Sequence, residues 1–246
     1  MGKISKLTIV VPCYNERATI GAVYRAVRDL DLPCEKEIVI VDDASDDGTR
    51  EFLYEERSRL GPDPGVKFVF HEKNRGKGAA LVTALEHATG DYIVAQDADL
   101  EYDPGEIARL IECVEKYDAH AVYGSRNTKR KKTYRYAHYY YGVEVLRFLI
   151  NKLFRVSLTD PETCYKLVRT DLLRGFGIEE RGFGIEIEFT ANLAARRVRI
   201  HEVPISYRPR SFAEGKKIRP KDGIRGLYLI FKYYLRHRKR FRGAKT

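Results

Sequence analysis

The chain has 246 residues, 43% of them hydrophobic and 33% charged, as in a folded globular protein with one large domain or two small ones. Its four cysteines form no CxxC pair, which argues against a structural zinc site or a disulfide framework. The net charge is +10, and residues 216–246 hold twelve Lys or Arg and one Asp, so the rest of the chain is nearly neutral.

Predicted strands and helices alternate along the first hundred residues. Runs rich in β-branched residues are separated by stretches with apolar residues at helical spacing. This alternation predicts βαβ crossovers and a mostly parallel sheet flanked by helices. In chain order, we predict strands at 6–11, 37–41, 66–70, 92–95, 121–123 and 199–207, and helices at 19–29, 46–60, 78–88, 104–117, 143–154, 186–195 and 223–238.

Polar segments follow the first four predicted strands. Because ligands of parallel α/β sheets bind beyond the carboxyl ends of the strands, these segments predict a single site at one edge of the sheet. The segments are CYNE at 13–16, DDAS at 42–45, NRGK at 74–77 and DAD at 97–99.

Two aspartates at alternate positions, Asp97 and Asp99, follow the fourth strand. Side chains alternate along an extended segment, so both carboxylates point to the same side and can ligate one hard cation. Mg²⁺ or Mn²⁺ held there would neutralise charge on a departing nucleoside diphosphate. Glu101 is a candidate third ligand. The alternative for this stretch is an acidic surface turn.

Four motifs occur in register: VPCYNE, VDDASDDGT, NRGKGAAL and QDADLEYDP. Together they resemble the family 2 glycosyltransferases, and among these the dolichol-phosphate mannose or glucose synthases and their bacterial polyprenyl-phosphate relatives. The resemblance covers roughly residues 6–215. It implies the GT-A fold, a Rossmann-like α/β architecture with a mixed, mostly parallel sheet flanked by helices.

The resemblance also implies roles for residues on the donor side. In the DDASDD segment, helix capping is the favoured alternative for Asp46 and Asp47, while Asp42 stays open. The implied donor-site residues are Pro12, Tyr14 and Glu16 in the nucleotide pocket; Asp43 at the base; Arg75, Gly76 and Lys77 beside the base and phosphates; and Asp97, Ala98 and Asp99 with Glu101 at the metal.

On the acceptor side, GSR at 124–126 resembles the motif whose arginine holds the acceptor phosphate. Arg126 is therefore a predicted phosphate contact and catalytic residue with Asp99, and Arg135 is a second candidate contact. The segment at 159–166 lies where the synthases carry D-x-T-S-G-F-R, but here Cys-Tyr-Lys replaces Gly-Phe-Arg. Asp160, the third predicted catalytic residue, is either a general base for a hydroxyl acceptor or a residue that shapes the acceptor pocket.

Two further segments hold candidate site residues. Glu186 and Glu188 lie two apart on a predicted helix, so at most one faces the site, and Glu186 is our choice. The loop at 208–217 is predicted to fold over the diphosphate, with Arg210 and Lys216 as phosphate contacts. A flexible linker is the alternative for that loop.

The predicted helix at 223–238 is amphipathic, with Ile224, Leu227, Phe231 and Leu235 on one face. With basic and tyrosine residues around that face, it predicts peripheral contact with a membrane, and packing on the core is the alternative. No leader or run of ~18 apolar residues appears, so we expect a peripheral protein on the cytoplasmic face of the membrane. We accordingly predict a catalytic domain at 1–215 and a basic helix at 216–246.

These features predict a metal-dependent, inverting hexosyltransferase. It would move mannose or glucose from GDP-mannose or UDP-glucose to a polyprenyl or dolichyl phosphate. An alternative is transfer to a saccharide hydroxyl. More distant alternatives are a non-catalytic sugar-nucleotide-binding protein and a nucleic-acid-binding protein; the second is disfavoured because the acidic cluster would repel a phosphate backbone and no RNP, KH or zinc-finger pattern appears.

Overall fold

The computed structural model describes residues 3–63, 65–127, 137–210 and 220–242. Two predicted phosphate contacts, Arg135 and Lys216, lie outside these residues, as do residues 211–217 of the loop that is predicted to fold over the diphosphate.

A seven-stranded sheet forms the centre of the described chain, in the strand order β3-β2-β1-β4-β6-β5-β7. The pairs β1–β2, β1–β4, β2–β3 and β5–β7 are parallel, whereas β6 runs antiparallel to both β4 and β5. The mixed, mostly parallel sheet is therefore confirmed. The strands are β1 (Lys6–Cys13), β2 (Glu35–Asp42), β3 (Val66–Phe70), β4 (Tyr92–Ala95), β5 (Ala121–Ser125), β6 (Lys166–Arg169) and β7 (Ile200–Pro204).

Most predicted helices begin and end within three residues of the predicted bounds, but α5 begins six residues before the predicted start and α8 ends four residues after the predicted end. A short 3-10 turn, Pro104–Glu106, precedes α4, with Asp103 accepting a hydrogen bond from the Gly105 amide at its start. The helices are α1 (Ile20–Arg28), α2 (Thr49–Leu60), α3 (Lys77–His87), α4 (Ile107–Tyr117), α5 (Ala137–Phe154), α6 (Thr170–Arg174), α7 (Ile185–Ala195) and α8 (Pro220–Arg242).

Two elements were missed in the sequence, namely β6 and the five-residue helix α6. β6 has only four residues, KLVR, and its apolar pair gives no clear alternation. The extended form of β6 is stabilised by its hydrogen bonds to β4 on one side and to β5 on the other, and both strands are distant from it in the chain. Pairing over such distances leaves little local signal.

Two apolar cores cover the faces of the sheet. On one face, α1 and α4 pack against the strands through residues such as Val23 and Leu110. On the other face, α3 and α7 pack through residues such as Ala84 and Phe189. The helices therefore cover both faces of the sheet, which leaves the carboxyl edge of the sheet open for a ligand.

Helix α7 is buried on all sides, because α5 and α8 cover the face that does not meet the sheet. A helix that is apolar around most of its circumference is expected in such a position. In α8, Leu229, Ile230, Tyr233 and Phe241 pack into this third core.

The opposite side of α8 is exposed and also apolar. Ile224, Tyr228, Phe231 and Leu235 are 49–73% exposed, at spacings of four, three and four residues. The apolar face predicted for this helix is thus mostly the outward one, while a different face packs on the core. No helix among the described residues is long and apolar enough to cross a bilayer. The predicted boundary between 1–215 and 216–246 stays a prediction.

Candidate active site

A cavity of about 710 Å³ lies at the edge of the sheet where β1, β2, β4 and β5 end. These strands point in the same direction, so the polar segments after them meet at this edge. The predicted site residues that line the cavity are Pro12, Tyr14, Glu16, Asp43, Gly76, Lys77, Asp97, Ala98, Asp99, Glu101, Arg126 and Arg210.

The aspartates after β4 are both paired with cations of the protein. Asp97 lies 2.8 Å from the Lys77 ammonium, and Asp99 lies 3.0 Å from the Arg210 guanidinium. Leu100, between Asp99 and Glu101, adopts the left-handed conformation with φ of 59°. The chain therefore turns sharply here, and the Glu101 amide donates to Asp99 Oδ1 at 3.1 Å.

Arg210 is surrounded by carboxylates. Its Nη1 lies 2.9 Å from Glu16 and its Nη2 lies 3.0 Å from Asp99. Glu101 accepts a 2.7 Å hydrogen bond from the Arg210 amide and another of 2.7 Å from the Tyr207 hydroxyl. Glu101 therefore anchors the chain that leaves β7, and this brings Arg210 into the donor side of the cavity.

Burial, together with the nearby carboxylates Asp97 and Glu101, raises the pKa of Asp99 to about 7, against the opposing effect of Arg210. Such crowding indicates a place where additional positive charge is favourable.

The described residues contain no ready-made group of three metal-ligating side chains. The residues present nevertheless fit Mg²⁺ or Mn²⁺, because these ions are often bound by one or two carboxylates together with substrate phosphates and water. Asp97 and Asp99 supply two such carboxylates at the cavity wall.

On the nucleotide side, the buried Asp43 carboxylate organises the loop after β3. It accepts hydrogen bonds from the amides of Arg75 and Gly76 at 2.8 and 2.7 Å, and lies 2.7 Å from His71 Nδ1. The Arg75 side chain is exposed, so its backbone makes the described contact.

Gly76 is required by both conformation and packing. Its φ is +91°, and a Cβ there would lie 2.5 Å from the carbonyl oxygen of Arg181. Gly76 thus allows the loop after β3 to approach the chain before α7 closely.

On the predicted acceptor side, Arg126 is positioned by Asp160. The buried Asp160 carboxylate accepts from Arg126 Nε at 2.6 Å, from Nη2 at 2.8 Å and from the Arg126 amide at 2.9 Å. The Tyr207 ring packs against the Arg126 guanidinium, with the ring centroid 4.9 Å from the guanidinium carbon. Asp160 therefore restrains an arginine that borders the cavity.

The structure separates the two glutamates of α7. Glu186 lines the cavity, and its carboxylate lies 2.5 Å from the buried Lys166 ammonium. The Lys77 ammonium lies 3.5 Å from the same carboxylate. Glu188 instead accepts hydrogen bonds from the amides of Glu179 and Glu180, as a structural anchor.

Several cavity residues were not singled out as site residues in the sequence. The most notable are Glu162, Cys164 and Phe183. The buried Lys166, which is the last residue of the altered Cys-Tyr-Lys segment, was also not singled out. A departure from the family pattern at 164–166 was the available signal, but only the fold places Lys166 beside Glu186.

Comparison with known proteins identifies the family. Glycosyl transferase family 2 matches residues 8–177 of the chain. The chain belongs to this family. It is therefore a glycosyltransferase, as the resemblance in its motifs implied.

Named relatives align along most of the chain. An undecaprenyl-phosphate mannosyltransferase of Micrococcus luteus is 30% identical, over 86% of this chain and 87% of its own length. A dolichol-phosphate mannosyltransferase of Pyrococcus furiosus is 26% identical over 93% of this chain, which spans 64% of that relative. An undecaprenyl-phosphate 4-deoxy-4-formamido-L-arabinose transferase of Edwardsiella ictaluri is 29% identical over 87% of this chain, which spans 63% of it.

Solved structures confirm the GT-A fold. The glucosyl-3-phosphoglycerate synthase of Mycobacterium tuberculosis, in complex with Mn²⁺, UDP and phosphoglyceric acid, superposes with a TM-score of 0.71 at 20% identity. The alignment covers 94% of this chain and 78% of that one. A further structure of that synthase contains Mg²⁺ and UDP, with a TM-score of 0.66 at 18% identity.

Proposed function

We propose that this glycosyltransferase moves a hexose, mannose or glucose, from GDP-mannose or UDP-glucose to a polyprenyl phosphate. The proposal is supported by relatives named for polyprenyl-phosphate acceptors, which align along 86–93% of the chain.

The observation that carries the acceptor assignment is the Arg126–Asp160 pair. A phosphate acceptor is already anionic, so it needs a positioned cation and no base to remove a proton. Arg126 borders the cavity, and the buried Asp160 carboxylate restrains its guanidinium through Nε and Nη2. We therefore assign Asp160 to positioning Arg126, and Arg126 to holding the acceptor phosphate.

In this reaction, a phosphate oxygen of the acceptor attacks the anomeric carbon from the face opposite the nucleoside diphosphate. The new bond forms as the bond to the diphosphate breaks, so the configuration inverts and no proton transfer is required. Arg126 orients the attacking phosphate, while Asp97 and Asp99 lie on the donor side of the cavity.

Asp97 and Asp99 would hold the metal ion, with Glu101 positioning the loop beside them. When bound, Mg²⁺ or Mn²⁺ supplies positive charge to the leaving nucleoside diphosphate. Since Lys77 and Arg210 now pair with these aspartates, we expect both cations to face the diphosphate when it binds.

The test is a transfer assay on purified protein with Mn²⁺ or Mg²⁺. Labelled GDP-mannose and UDP-glucose are each offered with a short polyprenyl phosphate and, separately, with oligosaccharides. We expect label in the lipid phase for one donor, and its loss when EDTA removes the metal. Label found only in oligosaccharide would overturn the lipid acceptor while leaving the family and fold intact.

The second candidate, transfer to a saccharide hydroxyl, requires a general base. Asp160, the predicted candidate for that base, is paired with Arg126, and the cavity carboxylate Glu186 is paired with Lys166. This pairing favours the phosphate acceptor.

We further propose that the enzyme contacts the cytoplasmic face of the membrane through α8. The exposed apolar residues of this helix, Ile224, Tyr228, Phe231 and Leu235, lie among basic residues of the same helix. Such a surface suits an interface with anionic lipid, where a polyprenyl phosphate would be found.

A further inference from the structure

Glu162 is a cavity residue without an assigned role. It lies in the wall between two ion pairs, Arg126 with Asp160 at 2.6 Å and Lys166 with Glu186 at 2.5 Å. Its Oε1 atom is buried and has no hydrogen-bond partner among the described residues. A shielded carboxylate oxygen without a donor is costly, so a ligand that brings hydrogen-bond donors would be favoured there.

The position of Glu162 follows from a chain of contacts across the cavity. Lys77 links Asp97, at 2.8 Å, to Glu186, at 3.5 Å, and Lys166 continues from Glu186 toward the segment that contains Glu162. Glu162 and Glu186 thus lie between the proposed metal ligands and the proposed acceptor arginine. The sugar of a bound donor must occupy this interval, because it is joined to the diphosphate and attacked by the acceptor.

The charge of the wall also selects the type of ligand. Glu162 and its neighbour Glu186 would repel a phosphate group, and the nearby cation Lys166 is already paired with Glu186. A hexose is uncharged and presents several hydroxyl donors, which a carboxylate accepts well. The hydroxyl-rich part of the donor is therefore the best match for this wall.

We propose that Glu162 binds hydroxyl groups of the transferred hexose and thereby determines which sugars the enzyme accepts. The proposal rests on the proposed function in requiring a nucleotide-sugar donor, but not on the identity of the acceptor. A donor that lacks the contacted hydroxyl leaves the carboxylate unpaired, and sites built on such hydrogen bonds discriminate strongly.

A rival role for the same residue is that of general base. Burial, together with the carboxylates Glu186 and Asp160, raises the pKa of Glu162 to about 7, against the opposing effects of Lys166 and Arg126. A carboxyl that titrates near neutrality suits base catalysis of transfer to a hydroxyl. The two roles differ in the step affected, because a hexose contact acts on donor binding and a base acts on the chemical step.

The experiment measures donor binding without any acceptor, by calorimetry with Mn²⁺ present. UDP, GDP, UDP-glucose and GDP-mannose are titrated into the wild type, Glu162→Gln and Glu162→Ala. For the nucleotide sugar that binds the wild type, we expect both variants to weaken the affinity at least tenfold. The affinity for the matching nucleoside diphosphate should stay within twofold. Glu112→Gln, a change at an exposed helix position, is the matched control and should alter neither.

A second arm uses deoxy analogues of the preferred donor. Removal of the contacted hydroxyl should weaken binding to the wild type but not to Glu162→Gln, which has already lost the carboxylate. Equal losses for diphosphate and nucleotide sugar would assign Glu162 to the structure of the site. Unchanged binding with a lower kcat would assign it to base catalysis. Failure of both nucleotide sugars to bind the wild type would overturn the donor assignment and this proposal with it.

These outcomes are separate from the fate of the lipid acceptor. If transfer to polyprenyl phosphate fails while the sugar-dependent loss of affinity is found, the role of Glu162 stands and only the acceptor changes. If transfer to the lipid occurs and Glu162→Gln binds the nucleotide sugar normally, the proposed function stands and the role of Glu162 is refuted.

Discussion

At the scale of single residues, opposite charges are placed close enough to restrain one another. Asp160 accepts three hydrogen bonds from Arg126, and this geometry makes the arginine a fixed feature of the cavity. A guanidinium held side-on by a carboxylate has fewer rotamers to lose when a phosphate binds. Under the proposed function, Asp160 would thus contribute to acceptor binding without contacting the acceptor.

Asp160→Asn should therefore weaken acceptor use more than donor use. The amide cannot accept both guanidinium hydrogen bonds, so Arg126 loses its fixed position. We expect KM for polyprenyl phosphate to rise about tenfold or more, and donor affinity to change less than twofold. Steady-state kinetics with varied acceptor, together with calorimetric donor binding, measure the two effects.

The control for this change is Asp31→Asn, at an exposed position before β2. It should leave both constants unchanged. If Asp160→Asn instead reduced kcat while KM for the acceptor stayed constant, a role for Asp160 in the chemical step would replace the positioning role.

At the scale of elements, one buried carboxylate connects three segments at the end of the sheet opposite the cavity. Glu37 on β2 accepts hydrogen bonds from Thr8 on β1 at 2.6 Å and from the backbone of Thr89 and Gly90 before β4. Lys67 on β3 lies 3.2 Å away. Glu37 therefore stabilises the alignment of the strands whose other ends form the donor site.

Replacement of Glu37 should lower stability and change its dependence on pH. Burial alone would raise the pKa of Glu37, but hydrogen bonds from Thr8, Thr89 and Lys67 outweigh it and lower the pKa to about 2. A lowered pKa means that this stabilisation is present above the unfolded value of 4.5 and is lost as the pH falls toward 2.

We expect Glu37→Gln to reduce the free energy of unfolding by about 1–3 kcal/mol at pH 7. Between about pH 4.5 and 2, the free energy of unfolding should fall less in the variant than in the wild type. Urea denaturation across this range gives both quantities. Glu35→Gln, on the same strand but exposed, should stay within about 0.5 kcal/mol of the wild type; an equal loss there would refute the special role of Glu37.

At the scale of the whole molecule, charge and apolar surface are distributed unevenly. Eight Asp or Glu residues line the cavity, whereas residues 216–246 carry a net charge of +11. The exposed apolar residues of α8 are accompanied on the neighbouring α5 by Val145 and Phe148, which are 52% and 58% exposed. One surface of the molecule thus combines apolar and basic groups.

This surface predicts binding to anionic vesicles that weakens with salt. The double variant Phe231→Ser and Leu235→Ser should reduce partitioning at least tenfold, because two apolar side chains no longer enter the lipid interface. Vesicle co-sedimentation with and without anionic lipid, at 0.05 and 0.5 M salt, measures it. Tyr117→Ser, exposed elsewhere, should have little effect. Equal binding to neutral vesicles, or an unchanged double variant, would contradict the predicted membrane surface.

Local patterns determine much of this protein. Hydrophobic periodicity predicts most elements within a few residues, because side-chain burial on one face of a strand or helix depends on neighbours in the chain. Motifs after the strands predict the donor side, since parallel strands bring their carboxyl ends to one edge whatever the details of packing. Asp97, Asp99 and Glu16 were found in this way.

Only the tertiary structure decides the contacts between distant segments. Strand β6 depends on its pairing with β4 and β5, and Lys166 meets Glu186 only after α7 packs on the sheet. Which face of α8 is buried was also open, because both of its faces are apolar and the third core covers one of them. The sequence by itself therefore determines the family, the order of elements and the donor motifs, whereas long-range packing decides which buried charges meet, since their partners lie far apart in the chain.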